Sequence, residues 1–282
     1  MATTATTTTT TATPAGAGPL LRDWRRRRRL SQLDLALEAG ISARHLSFVE
    51  TGRSKPSAEM LLRLAEQLDV PLRARNQLLL AGGYAPAFPE HELDAPEMAP
   101  VHDAIQRVLD GHDPYPALVV DRRWNVVAAN HSLSLLTVGA APELLRPPTN
   151  AMRLALHPDG LAPRIVNLAQ WRAHLLERLE RQVAVTGDRE LSALRDEVAA
   201  YPAPAAAEEA ATIAPAPAHD LAGQIAVPLR LRHGAGELAF ISIVATFGTA
   251  VDITVAELSI ESFFPADAAT ADAVRRYADG AA

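Results

Sequence analysis

Between residues 32 and 55 the chain gathers side chains suited to a polyanion: the cations Arg44, Arg53 and Lys55, and the neutral donors Gln32 and Ser47. Phosphate attraction is local and screened within about 10 Å, so the local charge balance matters more than the total. Residues 19–88 hold 12 basic and 7 acidic residues, net +5, while the whole chain carries −6 and the remainder therefore −11. A basic module sits on an acidic chain. All but one of the 27 basic residues are Arg, the exception being Lys55, so Arg identity by itself signals no special choice of a bidentate donor.

The residues around these side chains would position them on two short helices joined by a sharp turn. The segment 31–51 reads SQLDLALEAGISARHLSFVET. Ser31 is a cap for one helix and Ser42 for the next. Ala36 is small where the helices cross, and Gly40 can take the left-handed backbone that the corner needs. Leu35, Ile41, Leu46 and Val49 supply a shared core. An ordinary helical hairpin would satisfy the same Ala, Gly and Leu positions, and the local positive charge argues against that reading.

The continuation VETGRSKPSAEMLLRLAEQLDVP ends the second helix at Glu50, turns at Gly52 and caps a further helix at Ser57, with Leu61, Leu64, Ala65 and Leu68 packing back. With the segment before it, this resembles an Xre/Cro-like helix-turn-helix domain over about residues 20–84. The resemblance implies that the second helix of the pair enters the major groove of double-stranded DNA while the first crosses the phosphates. Ala43, Arg44, Ser47 and Phe48 would then face base edges, Arg44 reading guanine and Phe48 meeting a thymine methyl, with His45 at the border. Gln32, Arg53 and Lys55 would hold phosphates. The run Arg25–Arg29 reads as part of the first helix, with Leu21, Trp24 and Leu30 on its apolar side, some arginines snorkelling and others edging the DNA backbone.

At 282 residues the chain has length for two ordered domains, and 48% hydrophobic with 21% charged residues is ordinary globular composition. With no Cys, disulfides, thiolate catalysis and Cys-ligated metals are excluded. The N-terminus lacks a cationic and apolar leader, and no apolar run approaches the roughly 18 residues of a membrane span, which predicts a cytoplasmic protein without membrane contact.

The boundaries expected from composition are a disordered Thr/Ala/Gly tail at 1–18, a five-helix all-α domain at 19–84, a Pro-rich acidic linker at 85–100, an α+β domain at 101–268 and a C-terminal tail at 269–282. Within the second domain LVVD and NVVAAN flank Arg122, Arg123 and Trp124 as strand, turn and strand. An amphipathic helix spans 165–186 and another 188–200, residues 202–220 form an irregular loop, and IAVPLRLR, GELAFISIVATFG and DITVAELSIESFF give three further strands. The overall fold class is α+β.

LVVDRRWNVVAAN resembles the opening of a PAS-type sensor domain. NAMRLALHPDGLAPRIVNLAQWRAHLLERLERQ, VPLRLR and FGTAVDITVAELSIESFFPADAAT resemble the ligand-binding domain of MmyB-like transcription regulators. Together the resemblances span 19–278. They imply a homodimeric regulator whose PAS-like domain holds a small apolar effector non-covalently, a fatty acid or related acyl compound, with no other cofactor. Apolar strand residues such as Phe240, Ile243, Val244 and Phe247, facing Leu154, Leu168 and Leu175, would line a cavity or fill a core; periodicity does not separate the two. Trp124 and Trp171 read as core anchors. Asn150, Arg153 and His157, at i, i+3 and i+7, would share a helix face and offer a head-group site, unless Arg153 pairs internally and His157 closes its helix. No nucleophile elbow, phosphate loop or metal-spaced His/Glu pair suggests an enzyme; His102 and His112 stand ten apart without such a pattern. The alternative to an effector-controlled regulator is constitutive DNA binding, with the second domain serving only dimerisation or partner docking.

Overall fold

The computed structural model describes residues 16–202, 226–234 and 236–280, in two compact units, 1–89 and 90–282. The first is all helical: α1 (Ala17–Arg27), α2 (Gln32–Glu38), α3 (Ala43–Glu50), α4 (Ala58–Gln67) and α5 (Leu72–Ala81). Helix starts follow their caps. Ser31 Oγ accepts from Asp34 N and Asp34 returns the bond to Ser31 N, while Ser42 and Ser57 cap His45 N and Met60 N. Gly40 has φ +64 in the α2–α3 corner, as the turn demands. Leu21, Leu35, Leu46, Leu61, Leu64 and Leu68 are fully buried around it.

Three expectations for this unit are corrected. The residues expected as a tail up to 18 include the start of α1: Ala17 is buried, and a side chain on Gly18 would meet the Val49 carbonyl oxygen at 2.3 Å, so glycine permits this close crossing. The arginine run does not stay in one helix, because α1 ends at Arg27 and Arg29 turns left-handed at φ +58. Residues 85–88, expected as linker, join the unit. Buried Asn76 accepts from Ala87 N and Phe88 N and donates to the Phe88 carbonyl.

The second unit comprises α6 (Ala99–His112), β1 (Ala117–Val120), β2 (Val126–Ala129), α7 (Ser134–Thr137), α8 (Ala151–Leu156), α9 (Leu168–Thr186), α10 (Arg189–Ala199), β3 (Leu229–His233), β4 (Gly236–Thr246), α11 (Ile253–Ala256), β5 (Ser259–Pro265) and α12 (Ala268–Ala278). The sheet is antiparallel in the order β2-β1-β5-β4-β3. Alternation along the strands divides the core. Val119 and Ile260 pack with Ile105 and Leu109 of α6, whereas Leu118, Phe240 and Phe263 join α8, α9 and α10. The α+β class expected from the sequence is the class observed.

Here too the boundaries move. The segment after Pro89 is held in the second unit by Asp252, which accepts from His91 N and contacts His91 Nδ1 at 2.8 Å, and by Thr254, which donates to the His91 carbonyl. The residues expected as a tail from 269 form most of α12: Asp267 caps Thr270 N, buried Thr270 accepts from Ala239 N, and Val274 is buried. The strand expected over 252–264 begins only at Ser259, because Asp252 caps the short helix α11. The loop expected at 202–220 lies outside the described residues beyond Pro202.

Candidate nucleic-acid interface and effector cavity

In the first unit α3 is fixed from below and open above. Leu46 and Val49 are buried; Arg44 is exposed, and Ala43, Ser47 and Phe48 are partly exposed, with Ala43 also touching the core. The Arg44 and Arg53 guanidinium carbons lie 5.4 and 6.0 Å from the Phe48 ring, so two cations and an aromatic face share one surface. Lys55 is exposed, its Nζ 5.3 Å from the Tyr84 ring. Arg44, Ser47, Arg53 and Lys55 leave donors accessible for phosphate and base edges, with Ala43 and Phe48 as apolar surface among them.

Gln32 stands differently from its expected role. Its Nε2 donates to Glu50 Oε2 at 2.8 Å, so the side chain braces α2 against the end of α3 and has one amide hydrogen left, beside the helix-start amide. Glu50 is the centre of a buried ion pair that pattern reading missed. Arg25 Nε and Nη2 donate to its two oxygens at 2.6 and 2.9 Å, and Arg25 Nη1 donates to the Leu30 carbonyl. Burial pushes the Glu50 carboxyl up, but hydrogen bonds from Arg25 and Gln32 and the charges of Arg25 and Arg22 outweigh it, so it sits below the ordinary glutamate value. Arg28 donates to the Leu68 and Asp69 carbonyls at the end of α4. Within the arginine run, then, Arg25 and Arg28 are structural.

The second unit holds a half-open cavity of about 350 Å3. Leu118, Glu261 and Phe263 face it from the sheet, Trp171 and Leu175 from α9, Met152 and Leu154 from α8, and Leu133, Leu136 and Thr137 from the segment around α7. Volume and apolar lining both suit a small-molecule site. Trp124 and Trp171, expected only as core anchors, are buried and also line this space. Of the strand residues expected to line it, Phe240 is wholly buried in the core, whereas Ile243 and Val244 are 54% and 40% exposed.

The three expected head-group residues do not converge on the cavity. α8 spans six residues, so Asn150 is its N-cap and His157 its C-cap instead of members of one helical face. Asn150 Oδ1 accepts from Arg153 N, and its amide donates to the Arg123 carbonyl. Arg153 is bidentate to Glu197 at 2.8 and 2.8 Å, and Tyr201 donates to the same carboxylate. The Arg153 bond is the chief cause holding Glu197 to about 2, and burial with that carboxylate raises Tyr201 to about 12. His157 Nδ1 accepts from Asp159 N and its ring meets Tyr201. Asn150 and Arg153 line a separate polar recess of about 180 Å3 with Arg123, Asn125 and Glu190.

Side chains of α9 brace one cavity wall. Gln182 accepts from Trp124 Nε1 and donates to the Arg122 carbonyl, and Arg178 stacks 4.3 Å from the Trp124 ring while its Nη1 lies 3.3 Å from Glu261 Oε1. Trp124 itself turns the β1–β2 connection at φ +68. Burial, then the charges of Arg178 and Arg181, lower His174, which keeps it neutral near pH 7.

One unit with a helix pair whose second helix exposes polar side chains, and another with an apolar cavity, fit a helix-turn-helix regulator with a ligand-binding domain. Residues 101–276 match the family model of the MmyB-like transcription regulator ligand binding domain, and residues 21–74 match a helix-turn-helix model. The chain belongs to the MmyB-like transcription regulators and carries a helix-turn-helix domain over residues 21–74. Over 81 residues it is 38% identical to an uncharacterized HTH-type transcriptional regulator, RghRB, of Bacillus subtilis, covering 28% of this chain and 56% of that protein. It is 34% identical to the ImmF control region 10 kDa protein of Bacillus phage phi105, covering 24% of this chain and 79% of the phage protein. A solved structure, the clp gene regulator ClgR of Corynebacterium glutamicum, is 23% identical at a TM-score of 0.21, covering 35% of this chain and 90% of that one. Among the described residues no helix is long and apolar enough to cross a membrane.

Proposed function

We propose that the protein is a homodimeric cytoplasmic regulator that reads a pseudo-palindromic operator through α3 and answers to a small apolar effector held in the second unit. The observation that carries this reading is the apolar cavity of about 350 Å3 within the ligand-binding family domain. An effector shifts the DNA-competent population only by its differential affinity for the two states, so occupancy and operator affinity are linked reciprocally. Acyl compounds are the first class to try. Exposed Ile243, Val244 and Phe264 on β4 and β5 support a dimerisation role for the same unit.

Arg44 reads bases, and Ala43, Ser47 and Phe48 complete the reading face; Arg53 and Lys55 hold phosphate with the Gln32 amide. No catalytic role is assigned. The test is operator selection from a random library followed by binding of Arg44→Ala. The variant should lose about 1–3 kcal/mol on preferred sites and tolerate more bases at one position. Unchanged affinity and preference would remove Arg44 from the groove. Half-sites about one helical turn apart, and a dimer in sedimentation, are the accompanying expectations.

A further inference from the structure

The polar end of the effector is readable from what the cavity lacks as much as from what it holds. Among the described lining residues there is no Arg and no Lys; the ionisable groups are Glu261 and His131. His131 is exposed, whereas Glu261 is 6% exposed and shares its sheet face with Leu118 and Phe263. Three polar neighbours in the lining are already engaged, and the Ser134 hydroxyl is a further neutral donor there. Thr137 and Thr149 donate to main-chain carbonyls, and the Asn130 amide donates to Asp113 and to the Tyr115 carbonyl.

Glu261 meets Arg178 through one oxygen, Oε1, at 3.3 Å. Among the described residues nothing donates to its second oxygen, which leaves an acceptor for a group inside the cavity. An ionised carboxylate brought there would surrender its hydration, find no cation in the lining and leave the Glu261–Arg178 pair with a surplus negative charge. An ammonium would leave the same pair with a surplus positive charge. A neutral hydroxyl needs no counter-charge and can donate to the second Glu261 oxygen.

We propose that the effector is an apolar molecule ending in an uncharged hydrogen-bond donor, a hydroxyl, received by Glu261, and that an ionised carboxylate is rejected at this site. The inference rests on the cavity being the effector site and moves the candidate from fatty acids to long-chain molecules with an uncharged hydroxyl end. At roughly 30 Å3 per non-hydrogen atom, the share of a water molecule in the liquid, 350 Å3 holds about a dozen such atoms. Decan-1-ol is therefore a fitting probe and decanoate its charged counterpart.

Trp124 and Trp171 line the cavity and report occupancy by fluorescence in the full chain. At pH 8, where a free carboxylic acid is ionised, decan-1-ol should bind at least about tenfold more tightly than decanoate. In Glu261→Gln the single amide oxygen is left to Arg178 and the amide NH2 turns to the cavity, while Arg178 loses its counter-charge, so decanoate should gain at least about tenfold relative to the alcohol. Thermal unfolding verifies that the variant is folded, and the wild-type ratio decides the question independently of it. Decanoate binding wild type as tightly as the alcohol, or seated with its carboxylate outward at His131, would overturn the head-group inference and leave the cavity reading standing. Silence from both probes, with no molecule recovered by solvent extraction, would overturn the cavity reading and this inference together.

Discussion

The two units differ in how they treat interior space. The helical unit closes its interior: Ala36 is 1% exposed, leucines fill the core, and the buried charges of Arg25 and Glu50 satisfy each other. The α+β unit keeps about 350 Å3 open among Leu, Met and Trp, with a carboxylate at the wall. A reading helix must hold its side chains to a fixed register on the duplex, which a filled core enforces. An effector domain must leave space for the effector and give up the dispersion contacts that space would have made. Substitutions that act on packing and charge should therefore have opposite consequences in the two units.

The largest effect is expected at the closed ion pair. Glu50→Ala leaves Arg25 buried without its carboxylate and should cost about 3–5 kcal/mol in denaturant unfolding of the helical unit. Because the folded Glu50 value is lowered, its contribution is present above the unfolded value of 4.5 and is lost as pH falls through the folded value. Wild type and Glu50→Gln should therefore converge in stability in acid, the gap opening as pH rises from the folded value and staying constant above 4.5. A gap independent of pH would mean that Glu50 matters by shape and hydrogen bonding more than by charge.

Packing gives the next contrast. Ala36→Leu adds atoms where two helices cross and should destabilise the helical unit by about 1–3 kcal/mol. Ala155→Leu adds the same atoms to the lining of the cavity and should change stability by under about 1 kcal/mol while weakening any ligand that fills the space. Equal costs for the two would show that the cavity lining cannot accept the added volume. The relevant measurements are separate unfolding transitions for the two units and probe titration of the Ala155 variant.

The same contrast explains which features were legible. Ser31, Ser42, Ser57 and Gly40 act on backbone within a few residues, so their types and spacing predicted caps and corner correctly. Arg25 and Glu50 are 25 residues apart, and a run of arginines looks alike whether one member is buried or none is. α12 carried a local signal, Asp267 before Thr270 with Val274 one turn on, which the small-residue composition of the terminus masked. The cavity left no local mark because a filled core and a lined void share one apolar period. Asn150, Arg153 and His157 were spaced for one helical face, but a helix of six residues ends before the face is built.

The smallest effect separates holding from reading. Arg53 is exposed beyond α3, its guanidinium near Phe48 and its backbone N–H donated to the Phe48 carbonyl, so its charge is carried on the surface by a fixed loop. If it neutralises one phosphate, Arg53→Ala should lower affinity evenly across operators and reduce the slope of log affinity against log salt by about 0.9. Stability should move by no more than about 0.5 kcal/mol, as for a surface change. Binding measured at several salt concentrations on a preferred and a scrambled site decides between the roles. An unchanged slope with altered preference would place Arg53 among the readers, and the reading face would then extend past α3 into the loop before α4.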